Sequence, residues 1–212
     1  MQKTRLLSFY AMLLAAAGMF WSGGSAYAAD ARLKEINSDP HTLRVAQEAG
    51  RRIAAFCANC HGNNGVSNLP EVPNLAGQNV DYLLEQTRKF GTGERKDPFM
   101  QGLIKALKEE EKIQLSLFYA SQNPRPGKPN PASVEAGRLV FKKSCARCHG
   151  EKAHGNELIP RLASQHEEYL VMSVTRYRNK SGERQDPQMA AAVAPLKDAD
   201  IKTVATYLSS LP

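Results

Sequence analysis

Apolar residues recur at helical spacing in a series of short segments that are separated by polar, Gly-rich and Pro-rich stretches. In the first segment after the N-terminal region, Leu43, Ala46, Ile53 and Phe56 share one face, and Thr42 is placed to cap the helix. Helices are predicted over residues 42–58, 80–90, 101–107, 109–121, 133–146, 165–177 and 198–210. The pattern predicts an all-α protein with polar connecting loops, preceded by a loose lead-in over residues 30–40.

The N-terminal region has the pattern of an export signal. Lys3 and Arg5 precede an apolar run over residues 6–21, and residues 26–28 read Ala-Tyr-Ala, a small-x-small cleavage site. An uncleaved membrane anchor is the alternative, but the run is shorter than the roughly 20 residues of a spanning helix. We therefore predict a signal peptide over residues 1–28, a mature chain from Ala29 and a periplasmic location.

The second half of the chain repeats the first. Residues 73–78 (PNLAGQ) align with 160–165 (PRLASQ), and residues 93–100 (GERKDPFM) align with 182–189 (GERQDPQM). Between the halves, residues 122–131 contain four prolines and are typical of a stiff, extended linker. We predict two domains related by internal duplication, over 29–121 and 133–212, joined by a linker over 122–132.

Each half contains one Cys-x-x-Cys-His motif, and the two motifs account for all four cysteines of the chain. Two thiols one helical turn apart, with a histidine directly after them, form the attachment signature of c-type haem. The alternatives are a thioredoxin-like redox pair or half of a zinc site. Two copies behind an export signal favour covalent attachment of two haem c groups, through the residues Cys57, Cys60, Cys145 and Cys148.

His61 and His149 are the candidate proximal ligands of the two haem irons. Met100 follows His61 by 39 residues and Met189 follows His149 by 40, each after Asp-Pro-x in a predicted loop. The only other methionine beyond the predicted signal peptide is Met172, which has no counterpart in the first half and is interpreted as a core residue. Histidine and thioether ligation raises the reduction potential relative to bis-histidine. It also leaves no iron position open to substrate, and therefore predicts electron transfer rather than catalysis.

The remaining histidines are not expected to bind iron. His41 precedes the first helix of the repeat, His154 has no equivalent in the first half, and His166 aligns with Asn79.

The net charge adds a candidate docking surface. Removing Lys3 and Arg5 with the signal peptide lowers the formal charge from +7 to +5. The basic residues are spread along the chain without stacking motifs, which argues against nucleic-acid binding.

The two halves differ in charge. Residues 29–124 carry twelve basic and twelve acidic side chains, whereas residues 132–212 carry twelve basic and nine acidic ones. Lys142, Lys143 and Lys152 surround the second motif, either as a surface that steers an acidic redox partner or as an ordinary solvated face.

Each half, with its Cys-x-x-Cys-His motif, a proline about a dozen residues later, a late methionine and a terminal helix, resembles class I cytochrome c. Two such domains behind a signal peptide, with Pro-x-Leu-Ala-x-Gln after each motif, resemble the two-haem cytochrome c4 family over essentially the whole mature chain. The resemblance implies that the carbonyl groups of Pro73 and Pro160 accept hydrogen bonds from His61 and His149. It also implies pseudo-symmetric packing of the domains with the haem propionates close together.

The same resemblance implies a periplasmic electron carrier without catalytic activity, which transfers electrons from a membrane bc1-type donor to a terminal oxidase, with peripheral membrane association left open. The alternative function is the haem subunit of a larger dehydrogenase, for example a sulfide-oxidising flavocytochrome. A two-haem peroxidase would need one iron with an open position, and both predicted ligand sets are complete.

Overall fold

The computed structural model describes residues 23–129 and 131–212, and within these ranges every regular element is an α-helix. The helices are α1 (Gly23–Ser38), α2 (Pro40–His61), α3 (Val80–Thr92), α4 (Pro98–Ala106), α5 (Glu109–Ala120), α6 (Pro131–Ser144), α7 (Ala146–His149), α8 (Glu167–Asn179), α9 (Pro187–Val193) and α10 (Asp198–Ser210). None of the described helices is both long enough and apolar enough to cross a bilayer. Most of the predicted signal peptide, residues 1–22, lies outside the described part of the chain.

The segment before the first haem motif differs from its prediction. Residues 30–38 belong to α1 rather than to a loose lead-in, and an ion pair between Arg32 and Glu35 at 2.8 Å supports the helix. Helix α2 then begins at Pro40, because the carboxylate of Asp39 accepts hydrogen bonds from the N–H and hydroxyl of Thr42 at 2.7 and 2.5 Å. Asp39 therefore caps this helix, and the assignment of the cap to Thr42 was wrong.

Among the described residues, 23–43 form one compact unit, and those from 44 to 212 form another that contains both halves of the duplication. In the first half, Ala54, Leu83, Leu115, Phe118 and Tyr119 form the core, against which Cys57 packs. The second half has an equivalent core that contains Phe141, Ala146, Leu170, Val204 and Tyr207. The two haem motifs thus begin at the edges of corresponding cores, as a duplicated domain requires.

A glycine in the first helix of each half allows the close approach of the last helix. A Cβ atom on Gly50 would lie 2.0 Å from the carbonyl oxygen of Gln114 in α5, and one on Gly137 would lie 2.0 Å from that of Thr203 in α10. Only a residue without a side chain fits between these backbones. The crossing holds the helix that leads into each haem motif against the closing helix of the same half.

The two motifs differ in their local backbone. Helix α2 continues through Cys57 and Cys60 to His61, whereas α6 ends at Ser144 and the chain turns at Cys145 before the short helix α7. Cys57 follows Gly50 by seven positions, whereas Cys145 follows Gly137 by eight. Because of the additional residue, a continuous helix through the second crossing would turn the second motif in a different direction from the first. One continuous helix therefore cannot form both the crossing and the motif in the second half.

Residues 123–129 of the linker form no regular secondary structure, in agreement with the effect of their prolines on helix formation. The N–H of Gly127 donates to the carbonyl of Ser209 at 2.8 Å, which fastens the linker to the end of α10. Helix α6 begins at Pro131, two residues before the predicted start at residue 133.

Candidate functional site

His61 and His149 are buried, with 7% and 6% of their surfaces exposed, and make equivalent hydrogen bonds. Nδ1 of His61 lies 3.0 Å from the carbonyl oxygen of Pro73, and Nδ1 of His149 lies 3.1 Å from that of Pro160. A carbonyl can only accept, so each ring carries its proton on Nδ1 and presents the lone pair of Nε2. Burial lowers the pKa of both rings and favours this neutral form. The geometry is that of a histidine prepared to bind a metal.

The four cysteines lie at the start of these sites and form no disulfide bond. Burial raises the pKa of Cys57 and raises that of Cys145 to about 11, so neither is a reactive thiolate of the thioredoxin kind. Within residues 23–129 and 131–212, no cluster of three or more Cys, His, Asp or Glu side chains could hold a metal ion. The described residues therefore give no support to the zinc alternative.

Met100 and Met189 occupy the same position in two short helices. Each is the third residue of its helix, after a proline at the first position and an aspartate cap. Asp97 accepts from the N–H of Met100 at 3.0 Å, and Asp186 accepts from that of Met189 at 2.8 Å. The expectation that both methionines lie in loops was therefore wrong, since each lies in the first turn of a helix.

Met189 contributes to the interior of the second half. It packs against a cluster of Val193, Leu196 and Ile201, together with Val140 and Val171. The same two valines contact the core that contains Ala146, inside the second haem motif. One apolar region thus connects Met189 with the segment that carries His149. Met100 is also half-buried, and so is Met172, which lies within α8.

The other histidines have partners or positions of their own. His41 is exposed, His154 pairs through Nε2 with the carbonyl of Pro212 at 3.0 Å, and His166 pairs through Nε2 with that of Ser67 at 3.0 Å. His154 and His166 thus each use Nε2 in a hydrogen bond within the chain.

Three arginines indicate that the interior accommodates anionic groups. Arg95 and Arg184 occupy equivalent positions in the duplication and both donate to the hydroxyl of Tyr169. Among the described residues, neither guanidinium pairs with a carboxylate, although only 8% of Arg184 is exposed. Nε of Arg161, directly after Pro160, is buried without a hydrogen-bond partner. Arg184 is a buried cation and requires a counter-charge, which a haem propionate would supply, so the residues present fit haem c.

The comparisons with known proteins agree with this geometry. The cytochrome c family model matches residues 134–212. Cytochrome c4 of Azotobacter vinelandii is 30% identical over 184 residues, which cover 77% of this chain and 88% of the relative. This chain belongs to the cytochrome c4 family. The crystal structure of reduced cytochrome c4 from Pseudomonas stutzeri superposes with a TM-score of 0.72 at 29% identity, covering 78% of this chain and 98% of that one.

A further relative has a different description. The thiosulfate dehydrogenase electron acceptor of Thiomonas intermedia is 33% identical over 176 residues, covering 75% of this chain and 80% of the relative.

Membership of the cytochrome c4 family confirms several expectations. The chain is an all-α protein of two tandem class I cytochrome c domains, and it is a dihaem cytochrome electron carrier. It carries two covalently bound haem c groups, and its two Cys-x-x-Cys-His motifs fit their attachment.

The halves of this cytochrome c4 meet through contacts that the sequence reasoning missed. The amide of Gln165 bonds both the N–H and the C=O of Asn74, and the amide of Gln78 bonds both main-chain groups of Arg161. The side-chain amide of Asn79 donates to three carbonyls of the second half, in residues His154, Asn156 and Ile159. Gln78 and Gln165 close the aligned Pro-x-Leu-Ala-x-Gln segments, so their repetition was the available signal. Nothing in a single sequence showed that each would bind the opposite half.

Proposed function

We propose that this chain is a periplasmic one-electron carrier between respiratory-chain components, with His61 and Met100 as axial ligands of one haem iron and His149 and Met189 as those of the other. The supporting observation is the paired geometry of the histidines, whose Nδ1–H groups are held by Pro73 and Pro160 while Nε2 stays available. In this proposal Cys57 and Cys60 attach the first haem, and Cys145 and Cys148 attach the second.

The bound haem supplies reversible one-electron oxidation and reduction of iron. The chain contributes imidazole and thioether ligands, whose preferred coordination geometry differs little between ferric and ferrous iron. The imidazoles are oriented by the proline carbonyls, and Asp97 and Asp186 fix the backbone at the two methionines. Arg95, Arg161 and Arg184 would offset the negative charge of the haem propionates. A soft thioether ligand favours ferrous iron and a high potential, which suits electron delivery to an oxidase.

Substitution of the methionines tests the ligand assignment. Met100→Ala and Met189→Ala should each abolish the methionine-to-iron absorption of one ferric haem and lower the potential of that haem, because thioether stabilisation of Fe(II) is lost. Met172→Ala is the matched control and should leave both spectra unchanged. A Met100 or Met189 variant with unaltered spectrum and potential would remove that residue from the ligand set.

The direction of electron flow is tested with purified partners. We expect a bc1-type complex to reduce the holoprotein and a terminal oxidase to reoxidise it, both in the absence of any other carrier.

The location of the protein is tested by cell fractionation. N-terminal sequencing of the protein from the periplasmic fraction should give a sequence that begins at Ala29. Washing membranes with salt would detect a peripherally associated fraction.

As a second candidate function, the chain accepts electrons from a dehydrogenase of sulfur compounds. This agrees with the alternative that it is the haem subunit of a larger dehydrogenase. The Thiomonas intermedia relative, named as an electron acceptor of thiosulfate dehydrogenase, favours it. Under this hypothesis a thiosulfate dehydrogenase reduces the holoprotein faster than a bc1-type complex does. Copurification with a flavoprotein would instead favour a flavocytochrome subunit.

A further inference from the structure

The peptide group that holds each haem-binding histidine is also bound from the opposite half of the molecule. The carbonyl of Pro73 accepts from His61, and the N–H of the same peptide group, which belongs to Asn74, donates to Oε1 of Gln165 at 2.7 Å. Nε2 of Gln165 returns a bond to the carbonyl of Asn74 at 3.0 Å. A hydrogen-bonded chain therefore runs from the imidazole of the first half to an amide of the second.

The reverse contact has the same form. The carbonyl of Pro160 accepts from His149, and the N–H of Arg161, in the same peptide group, donates to Oε1 of Gln78 at 2.8 Å. Nε2 of Gln78 donates to the carbonyl of Arg161 at 2.9 Å. Both glutamines are buried, with 7% of Gln78 and 6% of Gln165 exposed, so water does not compete for these bonds.

Hydrogen bonds at the two ends of one peptide group strengthen each other. An acceptor at the N–H increases the negative charge on the carbonyl oxygen, which then accepts more strongly from the imidazole. A histidine that donates more strongly through Nδ1 is a better electron donor through Nε2 and stabilises the oxidised metal. The glutamine of one half is thus placed to influence the metal of the other.

We propose that Gln78 and Gln165 are positioning residues that act across the domain contact, each setting the reduction potential of the haem held in the opposite half. This proposal rests on the axial ligation by His61 and His149 proposed above. In this proposal the contact between the halves tunes the reduction potentials of the haems and also holds the halves together.

The test replaces each glutamine by an apolar residue of similar length in the holoprotein. Gln165→Met should raise the potential of the haem attached beside His61, because the weakened imidazole bond favours Fe(II). We expect about a threefold change in that haem's Fe(II)/Fe(III) ratio at fixed potential, or about 28 mV for a one-electron couple. Gln78→Met should raise the potential of the other haem. Spectroelectrochemical titration gives the potentials, and proton NMR assigns each haem through contacts with its own half.

Asn79→Ala is the matched control, since Asn79 bonds carbonyls across the same contact but not the peptide groups that hold the histidines. It should leave both potentials unchanged. Gln165→Glu is the second variant, because a carboxyl group keeps an acceptor for the N–H of Asn74; it should not raise the potential. Hydrogen exchange of that N–H should be faster in Gln165→Met than in the parent protein.

A shift of the haem in the glutamine's own half, equal shifts of both haems, or no shift would overturn the proposal. The proposal would also be overturned if Asn79→Ala raised a haem potential as the glutamine variants do. Failure of the proposed ligation is recognised separately, because it would appear in the unaltered protein as the absence of methionine-ligated ferric spectra.

Discussion

The carboxylate of Asp186 accepts a hydrogen bond from the backbone N–H of Met189 at 2.8 Å, and Asp97 holds Met100 in the same way at 3.0 Å. In both places the intervening proline is the first helical residue. The Asp-Pro-x-Met sequence is therefore an N-cap followed by a helical turn, in which the cap bonds the methionine itself. One carboxylate therefore fixes the backbone at each proposed sulfur ligand.

Removal of this cap should loosen the methionine. Asp97→Ala and Asp186→Ala are each expected to cost about 1 kcal/mol of local stability, which is the usual loss for an N-cap. An external ligand that replaces the methionine, such as imidazole, should then bind the corresponding ferric haem about fivefold more tightly. Optical titration with imidazole measures the effect.

Asn is an equally good N-cap, so Asp97→Asn and Asp186→Asn are the matched controls and should retain the parent affinity. Equal imidazole binding by the Ala and Asn variants would show that the cap does not hold the methionine.

The helix crossings provide a test of packing. Gly50→Ala and Gly137→Ala place a methyl group 2.0 Å from a backbone oxygen, so the helices must separate. The gain in helix propensity is about 1 kcal/mol and is outweighed by overpacking, with a net loss of roughly 1–3 kcal/mol. Gly102→Ala, inside α4 with open space around it, should leave stability unchanged or increase it. Chemical denaturation of the three holoproteins would show whether the crossings tolerate a methyl group.

Acid stability depends in part on Arg88. Its guanidinium bonds Glu85 at 2.7 Å and Glu94 at 2.6 Å. These bonds lower the pKa of Glu85 and, with help from Thr92, lower that of Glu94 to about 2. Since the folded pKa lies below the unfolded value, the stabilisation is complete above about pH 4.5 and is lost as pH falls toward 2.

Arg88→Met should therefore reduce the loss of thermal stability between pH 4.5 and 2, mainly by lowering the melting temperature at the upper end. Because both carboxylates are partly or fully exposed, we expect a modest effect that diminishes at high salt. Lys105→Met controls for the loss of one positive charge. An Arg88 variant with the parent pH dependence would exclude this ion-pair network from acid stability.

Lys142, Lys143 and Lys152 are exposed near Cys148, which is itself exposed. If this surface steers an acidic redox partner, reversal of all three charges to Glu should slow association about tenfold at low ionic strength and flatten its salt dependence. The control reverses three exposed lysines elsewhere, namely Lys34, Lys105 and Lys202. Stopped-flow kinetics with the same partner compares the two variants, and equal rates would identify the surface as an ordinary solvated face.

The sequence predicted most of the architecture because the chemistry is local. The Cys-x-x-Cys-His motifs, the repeat and the proline-rich linker are contiguous patterns, and α10 begins at Asp198 and ends at Ser210 as expected. The start of α2 was less predictable, because Asp39 and Thr42 are both suitable caps and the proline after Asp39 favours the earlier start.

Long-range partners could not be predicted from local patterns. Asn79 does stand at the cap position of α3, but its side chain makes no capping bond and reaches the second half instead. Helix α3 ends at Thr92 rather than at the predicted residue 90, and Gly93 with a positive φ of 82° is its C-cap, whereas Gly91 lies inside the helix. Whether a glycine closes a helix or lies inside it depends on the conformation that the surrounding structure requires.

Gln78 bonds the backbone of Arg161, and Gln165 bonds the backbone of Asn74. The two contacts join equivalent positions of the two halves. Two identical molecules related by a rotation axis of order two meet in this way. A single domain of this design would carry both faces of the contact, and would have the means to form a homodimer without a linker. Covalent fusion raises the effective concentration of the second face to the millimolar range. The tandem arrangement thus guarantees a fixed haem stoichiometry at any dilution of the protein.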